Sequence, residues 1–172
     1  DWTREIAGDS ADITLLLKNS TDMHSYQPTA DDFIKIASAD VLIYVGGESD
    51  KWVKEACERS PSKSRTQINL IDLLGTKAIT EEHEEEHHGE HTEEYDEHIW
   101  LSLENAAELT MNISEELGKR DYKNRNIYKE NADLYIENLN KLDKEYKNAA
   151  ETAKIKTLIF AVLAVGIAFF VV

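Results

Sequence analysis

The sequence predicts an α/β protein: a parallel β-sheet flanked by helices, followed by one long α-helix. Three observations predict it. Between Ile13 and Leu74, three apolar runs of strand length, "ITLLL", "VLIYVGG" and "INLIDLL", alternate with helical patterns. Runs that are apolar along their whole length belong to strands buried on both faces, as in parallel sheets covered by helices. From Tyr128 to Ala153 a stripe of Tyr, Ala and Leu recurs at spacings of 4 and 3 over 26 residues, which as a helix would rise about 40 Å. Between these two regions the composition breaks, and Thr80–Glu97 is almost purely acidic and histidine-rich.

Taken in order, "DWTREIAGD" (Asp1–Asp9) reads as a helix with no strand before it. Ile13–Leu17 is the first strand. Pro28 and Thr29 then open a helix, with Thr29 as cap and Asp32 completing a capping-box pattern; Phe33, Ile34 and Ala37 are its expected buried face. Val41–Gly47 is the second strand, closed by glycines. "SDKWVKEACERS" is a helix with Ser49 or Asp50 as its cap and Trp52, Val53 and Ala56 on one side. Ile68–Leu74 is the third strand. Beyond Gly75 the insert 80–97 is expected to be a disordered loop. A helix starts at Ser102, a good N-cap, and stops at Leu117 before Gly118; Leu103, Ala106, Thr110, Ile113 and Leu117 share its spacing. The long helix covers Asn124–Lys156, with Tyr128, Ala132, Tyr135, Leu139, Leu142, Tyr146, Ala149 and Ala153 on its stripe. A coiled-coil strand is the alternative, but the tyrosines and alanines favour a helix laid along a globular surface. "KTLIF" then reads as a strand beginning something new. The expected units are a lobe over residues 1–118, a linking helix over 119–156 and an apolar tail over 157–172.

Charge is local. The formal net charge is -15, of which Glu81–His98 supplies ten negative charges, leaving about -5 for the rest. No basic patch interleaved with aromatics exists, so nucleic acid is not an expected partner. Cys57 is the one cysteine, so there is neither an internal disulfide nor a CxxC motif; it reads as a small apolar residue on a helix. Asp1 opens within a helical pattern, not on a secretory signal. From Leu158 to Val172 the 15 residues are all apolar or glycine, short of the roughly 20 that a membrane span needs.

Five of the six histidines lie between Glu81 and His98. Neutral imidazole is a good zinc ligand and carboxylate an acceptable one. His83 and His87, His87 and His91, and His88 and His91 are spaced so that a helix would bring each pair together. Like-charge pairs such as Glu81–Glu85 and Glu82–Glu86, together with Gly89, oppose that helix. The loop histidines His83, His87, His88 and His91 therefore read as weak accessory ligands, against the blander reading of a solvated acidic linker. Thiolate ligands are absent, which favours zinc over copper(I), and the imidazoles argue against calcium or magnesium. His24 and His98 differ from these four. Each sits in a loop preceding a helix, where folded structure would hold it. Strand-to-helix loops at the carboxyl ends of parallel strands are where such sheets carry their sites. Either histidine alone would read as a half-buried structural residue; together they are the primary candidate metal ligands.

Two stretches, "DMHSYQPTADDFIKIASADVLIYVGGESDKWV" (Asp22–Val53) and "YDEHIWLSLENAAEL" (Tyr95–Leu109), resemble the zinc-binding solute receptors of bacterial ABC importers, the cluster with a rigid helix between two lobes. The resemblance runs from Asp1 to about Phe160. It implies that the chain is one lobe of a two-lobed metal receptor. It further implies that His24 is the first zinc ligand and His98 the second, and that the acidic histidine loop gathers or senses zinc near the cleft. By the same resemblance, Asn124–Lys156 joins the lobes and "KTLIF" begins the second lobe, which would supply another histidine and a carboxylate. The implied partners are zinc, ahead of manganese or nickel, and a membrane ABC permease. The implied location is extracytoplasmic, lipid-anchored or secreted. The expectation is thus a receptor truncated at both ends, holding half a site whose affinity is weaker than that of a full site. Its tail would be a premature end, a frameshift product or a short membrane anchor.

Three other readings compete. The chain could be a membrane-tethered zinc buffer that uses the His/Glu-rich loop. It could be a structural or interaction protein whose long helix is the partner surface. An enzyme is the weakest reading: there is no HExxH and no phosphate-cradling glycine loop. "GGES" (Gly46–Ser49) lacks the G-x-S-x-G pattern, and its glycines fit a strand-end turn.

Overall fold

The computed structural model describes residues 1–17, 23–78, 97–153, 159–163 and 167–171. At its centre β1 (Val41–Tyr44) and β2 (Thr66–Asn69) pair in parallel, Val41 opposite Thr66 and Tyr44 opposite Asn69. Helices cover both faces, which is why β1 is apolar throughout. Val41 and Ile43 face the larger core, where α1 (Trp2–Ala7), α5 (Leu103–Arg120) and α6 (Arg125–Thr152) meet through Ile6, Leu109, Ile113, Leu117 and Tyr128. Leu42 and Tyr44 point the other way, into a smaller core where α2 (Ala30–Ser38) and α3 (Lys51–Arg59) contribute Ile36, Val53 and Ala56. This alternation is the period of 2 of a strand buried on both sides.

One buried cation ties the layers together. The Arg65 guanidinium, just ahead of β2, donates from Nη1 to the Ile36 carbonyl and from Nη2 to the Ser60 carbonyl, both at 2.9 Å. It thereby satisfies carbonyls near the ends of α2 and α3, where a cation also complements the helix dipole.

Several local expectations need correction. Ile13–Leu17 is not a strand: Ile13 and Leu16 pack against the two cores, but Leu15 is 62% exposed. No strand among the described residues runs beside it to complete a ladder. The run Ile68–Leu74 splits into the end of β2 and a short helix, α4 (Leu70–Leu74). Asn69 makes the switch by accepting the Asp72 amide at 3.2 Å, an N-cap that an apolar count does not register. In α2 the capping box of Thr29 and Asp32 is present, but Ile36 is the buried apolar residue, while Ile34 is 66% exposed and Ala37 is exposed. Neither Ser49 nor Asp50 caps α3 with its side chain. The Asp50 carboxylate turns back to accept the amides of Val45 at 2.6 Å and Gly46 at 3.2 Å.

Helix α5 is capped by Ser102 as expected but runs on to Arg120. Gly118 is buried within it, where a side chain would press on Arg125 at the start of α6; close packing, not helix termination, accounts for this glycine. On α6 the stripe is buried at Tyr128, Ala132 and Leu139, then surfaces, with Leu142 40% and Tyr146 55% exposed. The helix outruns the lobe it lies on. Near the C-terminus β3 (Ile159–Leu163) and β4 (Ile167–Val171) form an antiparallel pair. No described helix is long and apolar enough to cross a membrane.

Candidate metal centre

The site forms at the carboxyl end of β1, from three segments far apart in sequence. The first is a 3-10 turn over Met23–Ser25. It is tied to α2 through Asp32, whose Oδ2 accepts the Tyr26 hydroxyl at 2.8 Å, the Thr29 amide at 2.8 Å and the Thr29 hydroxyl at 2.6 Å. Burial opposes the Asp32 charge, but these donors and Lys35 outweigh it and hold the carboxyl below its ordinary range. The Tyr26 phenol, half-buried and bonded to that carboxylate, is pushed up to about 12. Its ring meets Trp52 of α3 edge-on, centroids 5.4 Å apart. His24 is thus carried on a loop stapled to two helices.

The second segment is the turn Gly46–Asp50 between β1 and α3, shaped by the Asp50 carboxylate. Gly46 has φ +102°, and a side chain there would collide with Asn69; one at Gly47 would collide with Glu97. Glycine is required at both positions because neighbouring side chains lie directly on the backbone.

The third segment is Glu97–Leu101. Glu97 is 8% exposed and Ile99, in the larger core, 3% exposed. His98, between these two anchors, is exposed and accepts the Leu101 amide through its carbonyl at 2.9 Å. Composition puts Glu97 in the acidic insert, but its side chain is folded against Ser49 and buried. Its Oε1 accepts the Ser49 amide at 2.9 Å and its Oε2 the Ser49 hydroxyl at 2.5 Å. Burial raises the Glu97 carboxyl, but these donors and the nearby His24 outweigh it, so it lies below its usual range.

The segments bring His24 and His98 together: their ring centroids are 5.7 Å apart, tilted by 47°. Two imidazoles sharing a tetrahedral zinc ion at about 2.0–2.1 Å per nitrogen would have centroids about 5 Å apart. The observed separation is close to that value, and neutral nitrogen donors suit zinc chemistry. The Trp100 ring centroid lies 5.4 Å from that of His98. Among the described residues no group of three or more His, Cys, Asp or Glu side chains is arranged to hold a metal ion. The loop histidines His83, His87, His88 and His91 lie outside the described residues. A cleft of 810 Å³ runs along α3 from Gly46 to Arg65, but neither histidine lines it. The donor pair marks this site.

Sequence reasoning did not place two of the residues here. Ser49 Oγ lies 2.7 Å from His24 Nδ1 as well as against Glu97. This serine–histidine contact had no counterpart in the linear pattern. It is not a nucleophile–base pair, because an ionised carboxylate only accepts and so takes the hydroxyl hydrogen away from the imidazole. The one signal available was adjacency: Glu97 precedes His98 directly, and Ser49 ends "GGES".

The chain matches the family model described as ZnuA, zinc-uptake complex component A, periplasmic, over residues 1–166. It is 34% identical over 174 residues to the high-affinity zinc uptake system protein ZnuA of Bacillus subtilis, covering 96% of this chain and 53% of the relative. It is 31% identical over 178 residues to the zinc-binding protein AdcA of Streptococcus pyogenes, covering 96% of this chain and 35% of the relative. The fold superposes on crystalline Zn(II)-bound AdcA from Streptococcus pneumoniae with a TM-score of 0.73 at 30% identity, over 89% of this chain and 31% of the other. The chain thus spans between about a third and a half of these proteins. A family model that matches nearly the whole chain, with relatives above 30% identity, places the chain in the ZnuA family of zinc-uptake complex components.

Proposed function

We propose that this lobe receives zinc for an extracytoplasmic uptake receptor, with His24 and His98 as two of the ion's ligands, and that the loaded receptor delivers zinc to an ABC permease. The observation that carries the reading is the convergence of these two imidazoles to 5.7 Å at the carboxyl end of β1. The names of the relatives, a zinc uptake protein and a zinc-binding protein, support the choice of metal. Zinc takes four ligands in a closed site, so the two positions that this lobe does not fill go to the second lobe of a complete receptor or to water. The insert histidines are weak auxiliaries that raise the local zinc concentration at the mouth of the site.

Zinc titration by competition with a chromophoric chelator tests the reading. His24→Ala and His98→Ala should each weaken binding by more than the roughly 10–100-fold that loss of a supporting partner costs. Deleting 81–91 should change the affinity far less. Unchanged affinity in both histidine variants would remove the pair from the site.

A further inference from the structure

A metal-ligating histidine has two usable nitrogens, and what bonds to one decides which is offered to the ion. At His24 two neighbours bear on this choice. The Glu97 carboxylate faces Ser49 with both oxygens, taking the amide on Oε1 and the hydroxyl on Oε2. Once Ser49 Oγ has given its single hydrogen to Glu97, it has only lone pairs left for His24 Nδ1, 2.7 Å away. That nitrogen must then carry the hydrogen and donate it. A neutral ring with hydrogen on Nδ1 has its lone pair on Nε2.

We propose that Ser49 and Glu97 are positioning residues which fix His24 as the Nδ1–H tautomer, so that Nε2 is the atom presented to zinc. The inference rests on the reading of His24 as a zinc ligand. The arrangement extends the familiar carboxylate–histidine–metal relay by one hydroxyl.

Three features show that the relay is built into the fold. Glu97 is only 8% exposed. Its side chain lies across Gly47, where any Cβ would displace it. The Ser49 amide anchors its backbone on Glu97 Oε1, and its hydroxyl is held separately by Glu97 Oε2. The direct separation of His24 Nδ1 from Glu97 Oε2 is 3.8 Å, too long for a hydrogen bond, so the serine is a necessary link. Glu97 also adjoins His98 in the chain, so one carboxylate fixes the backbone of the second candidate ligand and the ring of the first.

Long-range nitrogen–proton NMR spectra of the metal-free protein at pH 8 read the tautomer, and competition titration reads zinc affinity. The wild type should show His24 as Nδ1–H, the form that neutral histidine in water disfavours. Ser49→Ala should shift the ring toward Nε2–H and weaken zinc binding about 10–100-fold, whereas Ser49→Thr, which keeps the hydroxyl, should retain both properties. Glu97→Leu should act like Ser49→Ala, with circular dichroism confirming that the lobe is folded. A His24 signature that is Nε2–H in the wild type, or that persists unchanged in Ser49→Ala, overturns the proposal. So does wild-type affinity in Ser49→Ala when His24→Ala has lost it. Wild-type affinity in His24→Ala overturns instead the underlying reading of His24 as a ligand, a different result from the same titrations.

Discussion

The rings of His24 and His98, 74 positions apart in sequence, stand 5.7 Å apart, centroid to centroid. If they share one ion, their contributions cannot be independent. The double variant His24→Ala/His98→Ala should lose clearly less zinc affinity than the sum of the two single losses, because the first removal already forfeits most of the chelate. Additive losses in competition titrations would mean two separate metal contacts.

The Asp32 carboxylate gathers the loop that carries His24, and its hydrogen-bond donors and Lys35 hold it below the ordinary aspartate range in the folded state. A depressed carboxyl stabilises the fold above its unfolded pKa, and that stability is lost as pH falls through the folded value. Urea midpoints should therefore decline from about pH 4 downward in the wild type, and Asp32→Asn should flatten part of that decline. Near neutral pH the same variant should lose about 1–2 kcal/mol through the weakened cap. An unchanged midpoint at pH 7 would contradict the role assigned to this carboxylate.

Two leucines one turn apart on α6 should behave differently. Leu139 is 8% exposed and Leu142 is 40% exposed. Leu139→Ala should cost about 2–3 kcal/mol, at the low end for a buried leucine, since its position near the edge of the lobe allows relaxation. Leu142→Ala should stay within about 0.5 kcal/mol. Equal losses in urea melts would place the boundary of the packed stripe elsewhere.

Two glycines at positive φ separate backbone strain from crowding. Gly75 has φ +57° and open space where a Cβ would point, whereas Gly46 has φ +102° and the Asn69 side chain in that place. Gly75→Ala should cost about 1–3 kcal/mol from backbone strain alone, since φ 57° with ψ -129° lies outside the left-handed helical well. Gly46→Ala should cost about 3 kcal/mol or more, strain and collision together, and should also disturb the turn that holds Ser49. A smaller loss at Gly46 than at Gly75 in thermal melts would show that Asn69 moves aside freely.

Much of this was legible in the linear chain because it is written in local chemistry. Thr29 and Ser102 cap their helices as their spacing predicts. The two motifs around His24 and His98 contain the two imidazoles whose rings converge in the fold. What misled was counting apolar residues without their partners: Ile13–Leu17 has strand composition but no neighbouring strand among the described residues, and Ile68–Leu74 is cut by the Asn69 cap. Gly118 has the composition of a helix stop but serves as a packing site against Arg125.

The sequence by itself determined the α/β class, the strand at Val41–Tyr44, the long helix and the capped starts of α2 and α5. These follow from side-chain periodicity and from short motifs whose atoms are neighbours along the chain. Only the tertiary structure decided that His24, Ser49 and Glu97 form one relay. It also decided that Asp50 shapes a turn without capping a helix, and where the α6 stripe leaves the core. Those outcomes depend on which lone pairs and hydrogens meet when segments 25 and 48 positions apart fold onto one strand end, and residue spacing carries no record of such meetings.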